Sequence, residues 1–239
     1  MFSGLILGSI APDLPHLLFL ESLSRYGHSL GGVFLVSLPT GFIGLLLFQY
    51  WLKRPLLALA PDSIRLRLPL QGKFGTFSVS RLAWVLVSIL IGVLTHILWD
   101  AFVKSHGLLA TNWPHWYCMR DGTLFCRLLM PVSSFGGLAV LGIVSFLWAR
   151  KTSMFEADVI PPAFTNSGRL LFYLVSALFA IGFGLFDEMF YTPLARGEDA
   201  IAAFLFGGMA AAFWIVVIFS TWWHVRRQGF GSEISRISE

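Results

Sequence analysis

An all-α polytopic bundle of about five or six membrane helices is the architecture this sequence predicts. Of 239 residues, 56% are hydrophobic and only 13% are charged, and mean hydropathy is +0.74. That balance belongs to a membrane protein rather than to a soluble domain with a large core. The apolar residues fall in runs about 20 residues long, the length a helix needs to cross hydrocarbon about 30 Å thick. Basic residues are dense in alternate connections between those runs, as in loops sorted to two faces of a membrane. With no polar linker and no internal repeat, residues 1–239 read as a single integral membrane domain.

The N-terminal stretch Phe2 to Leu20 is apolar but interrupted by Pro12-Asp13-Leu14-Pro15 and His16. It reads either as a tilted span or as a half-helix turning at that bend. Broken backbone is tolerated at membrane depth only inside protein or beside water. No Lys or Arg precedes the stretch and no small-residue cleavage site follows, so a removable signal peptide is not expected.

Five spans follow: Leu30–Leu52, Leu82–Val103, Leu128–Ala149, Leu170–Phe186 and Ala200–Trp223. Pro39 is placed to kink the first. Pro131 lies near the start of the third, where a helix accepts proline. Gly136, Gly137, Gly142, Gly207, Gly208 and Ala210 to Ala212 offer small surfaces for close packing. Trp51, Trp84, Trp99, Trp148, Trp222 and Trp223 lie near span ends, as interfacial aromatics do.

The first connection holds Lys53, Arg54, Arg65, Arg67, Lys73 and Arg81 against Asp62. The third holds Arg150, Lys151 and Arg169, and the tail holds Arg226, Arg227 and Arg236. The fourth connection is acidic, with Asp187, Glu188, Glu198 and Asp199 against Arg196. The positive-inside rule therefore puts the first connection, the third and the C-terminal tail in the cytoplasm. The net charge of +4 is a matter of loop orientation, and no nucleic-acid partner is expected.

On that topology the second span runs outward, and His96 lies about 21 Å beyond Leu82, in the outer leaflet. Asp100 follows one turn later on the same helix face. Asp13 and His28 fall at the same depth, with His16 a fifth group nearby, as a ligand or a proton carrier. Ionisable groups within a membrane face protein or water and are functional candidates by default. Neutral imidazoles and carboxylates together suit a divalent zinc, iron or manganese ion. Each residue also has a plainer role. Asp13 fits a helix N-cap, and His28 an interfacial position. Asp100 stands one turn from Lys104, and His96 can bond a neighbouring helix.

Several of these residues belong to ordered motifs: Gly8-Ser9-Ile10-Ala11-Pro12-Asp13-Leu14-Pro15, His28-Ser29-Leu30, Leu38-Pro39-Thr40-Gly41, Lys53-Arg54-Pro55-Leu56 and Thr95-His96-Ile97-Leu98-Trp99-Asp100. Their order resembles an uncharacterised bacterial polytopic membrane family, domain of unknown function four-one-eight-four. Val132-Ser133-Ser134-Phe135-Gly136-Gly137 is similar to its later Ser-Ser-x-x-Gly segment, so the resemblance runs from Gly8 to about Trp148. The Pro-Asp, His-Ser and His-x-x-x-Asp elements are also similar to those of inner-membrane proteins called metal-dependent hydrolases. Family members carry a Ser-His-Pro segment upstream of the Pro-Asp motif. Only seven residues precede Gly8 here, so that histidine has no counterpart in this sequence.

The resemblance implies a multi-pass protein of the bacterial inner membrane. The functional expectation is a metal-dependent hydrolase with Asp13, His28, His96 and Asp100 as ligands near the outer face. A lipid-like ester would reach such a site from the bilayer. Two other readings use the same residues: a non-catalytic scaffold whose polar cluster joins helices, and a transporter or proton relay. The sequence holds no phosphate-binding Gly-rich loop, nucleophile elbow, haem motif or thiolate zinc cluster. Cys118 and Cys126 share the second connection and would form a disulfide in an oxidising compartment or remain free.

Overall fold

Apolar runs free of internal breakers become long helices, and prolines mark where the helices change character. The computed structural model describes residues 2–68, 78–103, 112, 123–154, 160–190 and 198–237. Its elements are α1 (Phe2–Ile10), a 3-10 turn (Leu14–Leu18), α2 (Glu21–Gly27), α3 (Leu30–Leu59), α4 (Asp62–Arg65), α5 (Val79–Val103), α6 (Thr123–Lys151), α7 (Asn166–Phe190) and α8 (Glu198–Ile237). No strand occurs among the described residues.

Within these helices Leu30–Leu59, Val79–Val103, Asn166–Asp187 and Phe204–Arg227 are long and apolar enough to cross a membrane. The 29 residues of α6 cover the span expected at Leu128–Ala149. The protein is thus a multi-pass bundle of membrane helices, the class expected from composition. Contacts divide it into two units: Met1–Pro12, Arg25–Phe42 and Phe77–Met154 in the first, and Asp13–Ser24, Ile43–Thr76 and Phe155–Glu239 in the second.

In the first unit α1 packs along α5. Its nine residues rise only about 14 Å, half of what a span requires. The helix stops before Pro12-Asp13-Leu14-Pro15, where the sequence placed a bend. Glycine brings the two backbones together: a Cβ on Gly8 would lie 2.2 Å from Ile89 O, and one on Gly92 would lie 2.3 Å from Leu5 O. No other residue fits at either point without separating the helices.

Each proline of α3 follows a widened π turn. Val33–Ser37 precedes Pro39, and Leu38 N–H reaches back five residues to Val33 O. Phe48–Leu52 precedes Pro55, and Lys53 N–H reaches Phe48 O. The kink expected at Pro39 is thus distributed over a π turn. Pro55 has no N–H for the Trp51 carbonyl four residues back. His224 Nε2 donates to that carbonyl instead, at 3.0 Å.

In the second unit α7 and α8 pack closely through small residues. A Cβ on Gly184 would meet Phe204 O at 2.5 Å, and one on Gly207 would meet Asp187 Cβ at 2.8 Å. Ala210 and Ala211 are buried, whereas Ala212 is exposed. Among the described residues Gly136, Gly137 and Gly142 of α6 meet nothing within 4 Å, so the close packing expected of them is not found there. Small residues permit helix contact in hydrocarbon but do not drive it, since lipid tails are as apolar as the helix face.

The second unit also joins the first and third connections. Arg169 Nη1 donates to Ala60 O at 2.8 Å and to Asp62 Oδ1 at 2.9 Å, and Nη2 donates to Asn166 Oδ1. Arg65 Nη1 donates to Ile160 O at 2.6 Å. The hydroxyl of Tyr173 donates to Leu59 O. Below these bonds Leu57, Ala58, Leu59, Ile160, Phe219 and Trp223 form a buried cluster. Connections expected on one face of the membrane therefore do meet.

Candidate metal centre

His96 and Asp100 continue the buried stripe of α5. Val85, Ile89 and Gly92 carry the contact with α1, and the same face reaches His96 and Asp100 one and two turns later. Gly92 sets the distance between α5 and α1 one turn before the first polar group.

His28 comes from the turn between α2 and α3. Ser29 caps α3, its Oγ accepting from Gly32 N–H at 3.0 Å and donating to Tyr26 O at 2.7 Å. Gly32 fits because a Cβ there would fall 1.8 Å from Tyr26 O. Ser37 Oγ donates to Gly27 O at 2.8 Å and fixes the other side of the turn. His28 is thus held between two restrained residues.

The three side chains converge. His28 Nε2 lies 3.3 Å from His96 Nε2 and 3.2 Å from Asp100 Oδ2. His96 Nε2 lies 3.5 Å from the same oxygen. The side chains are only 16–20% exposed. Each ring nitrogen carries at most one proton. One Nε2–H can serve one edge of this triangle. Two such protons can both serve the carboxylate, but they then oppose each other across the imidazole edge. No protonation pattern makes all three edges hydrogen bonds. Ligand atoms about 2.0–2.2 Å from one ion at tetrahedral angles stand about 3.3–3.6 Å apart. The donor chemistry and the triangle both fit a small divalent cation.

Asp13 stands at the N-cap of the 3-10 turn, at the start of the second unit, but its side chain makes no capping bond. The plain N-cap reading therefore does not account for it. His16 lies in the same turn with its ring stacked on Phe206, centroids 4.8 Å apart. Lys104, Arg120 and Cys118 lie outside the described residues, and with them the Asp100–Lys104 and Cys118–Cys126 pairings.

Sequence reasoning missed the residues that position the site: Gly8, Gly32, Ser37 and Gly92. One signal was present. Gly4 and Gly8 have the four-residue spacing of close membrane-helix contacts, and Gly92 precedes His96 by the same interval. The contacts of Ser37 and Gly32 with the turn before α3 leave no such pattern.

The architecture and this cluster define a multi-pass helical membrane protein with two histidines and an aspartate gathered on and beside α5. The chain belongs to the family described as domain of unknown function (DUF4184), whose model matches residues 1–221. No curated protein and no solved structure matches it.

Proposed function

We propose that the protein is a metal-dependent hydrolase of the bacterial inner membrane, its site near the outer face and its C-terminus cytoplasmic. The observation that carries this reading is the triangle of His28 Nε2, His96 Nε2 and Asp100 Oδ2, with edges of 3.2–3.5 Å. Asp13 is the fourth ligand in this proposal. It follows Pro12, whose carbonyl lies 3.6 Å from a Cβ built on Gly27, the residue before His28. His16 is the proton carrier or an alternative ligand. A zinc, iron or manganese ion there would supply Lewis acidity and bring the pKa of water to about 7. Asp13, His28, His96 and Asp100 would hold and orient it. The substrate class is a lipid-like ester, because the bilayer delivers such molecules to this depth.

Metal analysis of the purified chain after incubation with each ion is the test. The expected result is about one ion per chain in wild type and background in His96→Ala and Asp100→Asn. Background metal in wild type sinks the proposal. A His96-dependent proton flux without metal would establish a relay in its place. Orientation has its own test, cysteine labelling from each side in a background with Cys118 and Cys126 replaced. Arg120→Cys should react from outside. Labelling only from the cytoplasm would invert the topology.

A further inference from the structure

A second feature stands apart from the metal centre and rests on different residues. In the second unit an open groove of about 800 Å³ runs along α7 and α8, walled by Phe172, Val175, Phe179, Phe183, Trp214 and Ile218. Its lining is almost wholly carbon, and its volume is in the range of small-molecule sites. Ile218 also belongs to an adjoining groove that passes Trp222 and ends on Arg226. Trp222 and Arg226 continue into a third, which adds Arg227. The three follow one another along α8 through these shared residues, apolar at one end and cationic at the other, and are taken together as a track.

The cationic end is built to present charge. The guanidinium of Arg226 lies over Trp222 at 5.3 Å and that of Arg227 over Trp223 at 4.3 Å. The apolar run of α8 gives way in sequence at Arg226 and Arg227, directly after Trp222 and Trp223, the order in which interfacial aromatics and flanking basic residues follow a span. Arg65 and Arg169 of the same unit pair with Asp62. Among the described residues no carboxylate pairs with Arg226 or Arg227. An occupant complementary to the whole track is a long apolar chain with an anionic group at one end.

We propose that this track binds one anionic phospholipid, an acyl chain lying along Val175, Phe179 and Ile218 and the phosphate meeting Arg226 and Arg227. The surrounding bilayer is the source. Tryptophan at the headgroup level and arginine beside it are suited to such a molecule.

Native mass spectrometry of the full chain released from detergent tests this, with dioleoyl phosphatidylglycerol, dioleoyl phosphatidylcholine and glycerol 3-phosphate offered at equal concentration. The chain should retain one phosphatidylglycerol, roughly 10–30-fold over phosphatidylcholine, the preference expected of two arginines at the membrane surface. Glycerol 3-phosphate should not be retained. Arg226→Gln with Arg227→Gln should abolish the headgroup preference, and Arg226→Lys with Arg227→Lys should keep it. Val175→Trp, which fills the groove, should lower retention of both lipids. Equal retention of the two lipids by wild type overturns the proposal whether or not the variants fold. So does retention of glycerol 3-phosphate alone, or a preference that survives loss of both arginines.

Discussion

Asp62 in the second unit and Asp100 in the first are both carboxylates with two nitrogenous partners, and the partners put them to opposite uses. Asp62 Oδ1 accepts from Arg169 Nη1 at 2.9 Å and from Arg65 Nη2 at 3.0 Å and Nε at 3.3 Å. Guanidinium groups bring several protons and a fixed positive charge, so every contact is a donor meeting an acceptor. Asp100 meets two imidazole nitrogens that also crowd each other at 3.3 Å. Imidazoles bring lone pairs and at most one proton at each nitrogen. The Asp62 cluster is closed by its own hydrogen bonds and fastens two connections. The Asp100 cluster is a triangle with edges of 3.2–3.5 Å that hydrogen bonds among the three atoms do not fill together, a spacing that fits a shared ion.

The largest effect that separates the two is on metal. His96→Ala and Asp100→Asn should each weaken zinc or manganese binding by more than about 100-fold, beyond the 10–100-fold lost when a group that only orients a ligand is removed. Asp62→Asn should leave stoichiometry unchanged. Calorimetric titration of the purified proteins checks both. Equal losses in the two clusters would break the contrast.

Stability should respond in the reverse order. Arg169 is 6% exposed and donates to Ala60, Asp62 and Asn166. Arg169→Met should cost roughly 2–3 kcal/mol, the scale of hydrogen bonds to charged groups. Thermal unfolding in detergent would read this, with metal content unaltered. A variant that melts like wild type would mean the two connections are held without Arg169, by the bonds of Arg65 and Tyr173 and the cluster around Ile160 and Phe219.

A smaller change should act on both stability and site. Gly92→Ala puts a methyl carbon 2.3 Å from Leu5 O and pushes α1 from α5. The cost of such overpacking is about 1–3 kcal/mol. Because His96 follows one turn later, metal affinity should fall as well. Gly136→Ala, which meets nothing within 4 Å, is the control and should change neither property. Loss of stability with full metal affinity would separate the helix crossing from the site.

How much of this was legible follows from what each feature depends on. Span length and apolar runs are local, so the helices could be read from composition, and α5 begins within three residues of its expected start. Loop charge is local too, and it grouped the connections of Asp62 and Arg169, which meet through hydrogen bonds in the structure. The convergence of His28 with His96 and Asp100 was inferred from depth alone, which puts residues at one level but not in contact. Contact came from Gly92 against Leu5 and from the turn at Tyr26 to Gly32, whose partners are distant in sequence or set by backbone shape. The same gap explains α6. Its glycines were read as packing surfaces, but nothing in their spacing names a neighbour.

The smallest effect is a titration, and it belongs to Asp62 alone. Hydrogen bonding to Arg169, then to Arg65, holds its carboxyl below the ordinary value of 3.8. A carboxylate lowered on folding contributes stability that is fully present above its unfolded pKa and is lost as pH falls through the folded one. Wild type should therefore exceed Asp62→Asn in melting temperature at about pH 7 and at about pH 5. The difference should shrink below the ordinary value of 3.8 and vanish once the folded carboxyl is protonated. The side chain is 49% exposed, so water and salt screen the pair and the difference is small. Raising ionic strength at neutral pH should narrow it further. Melting curves for the two proteins at each pH would show this as converging lines. Parallel lines would mean that Asp62 stabilises the connection through the geometry of its hydrogen bonds, which Asn partly keeps, and not through its charge. The contrast with Asp100 would then rest on donor count alone.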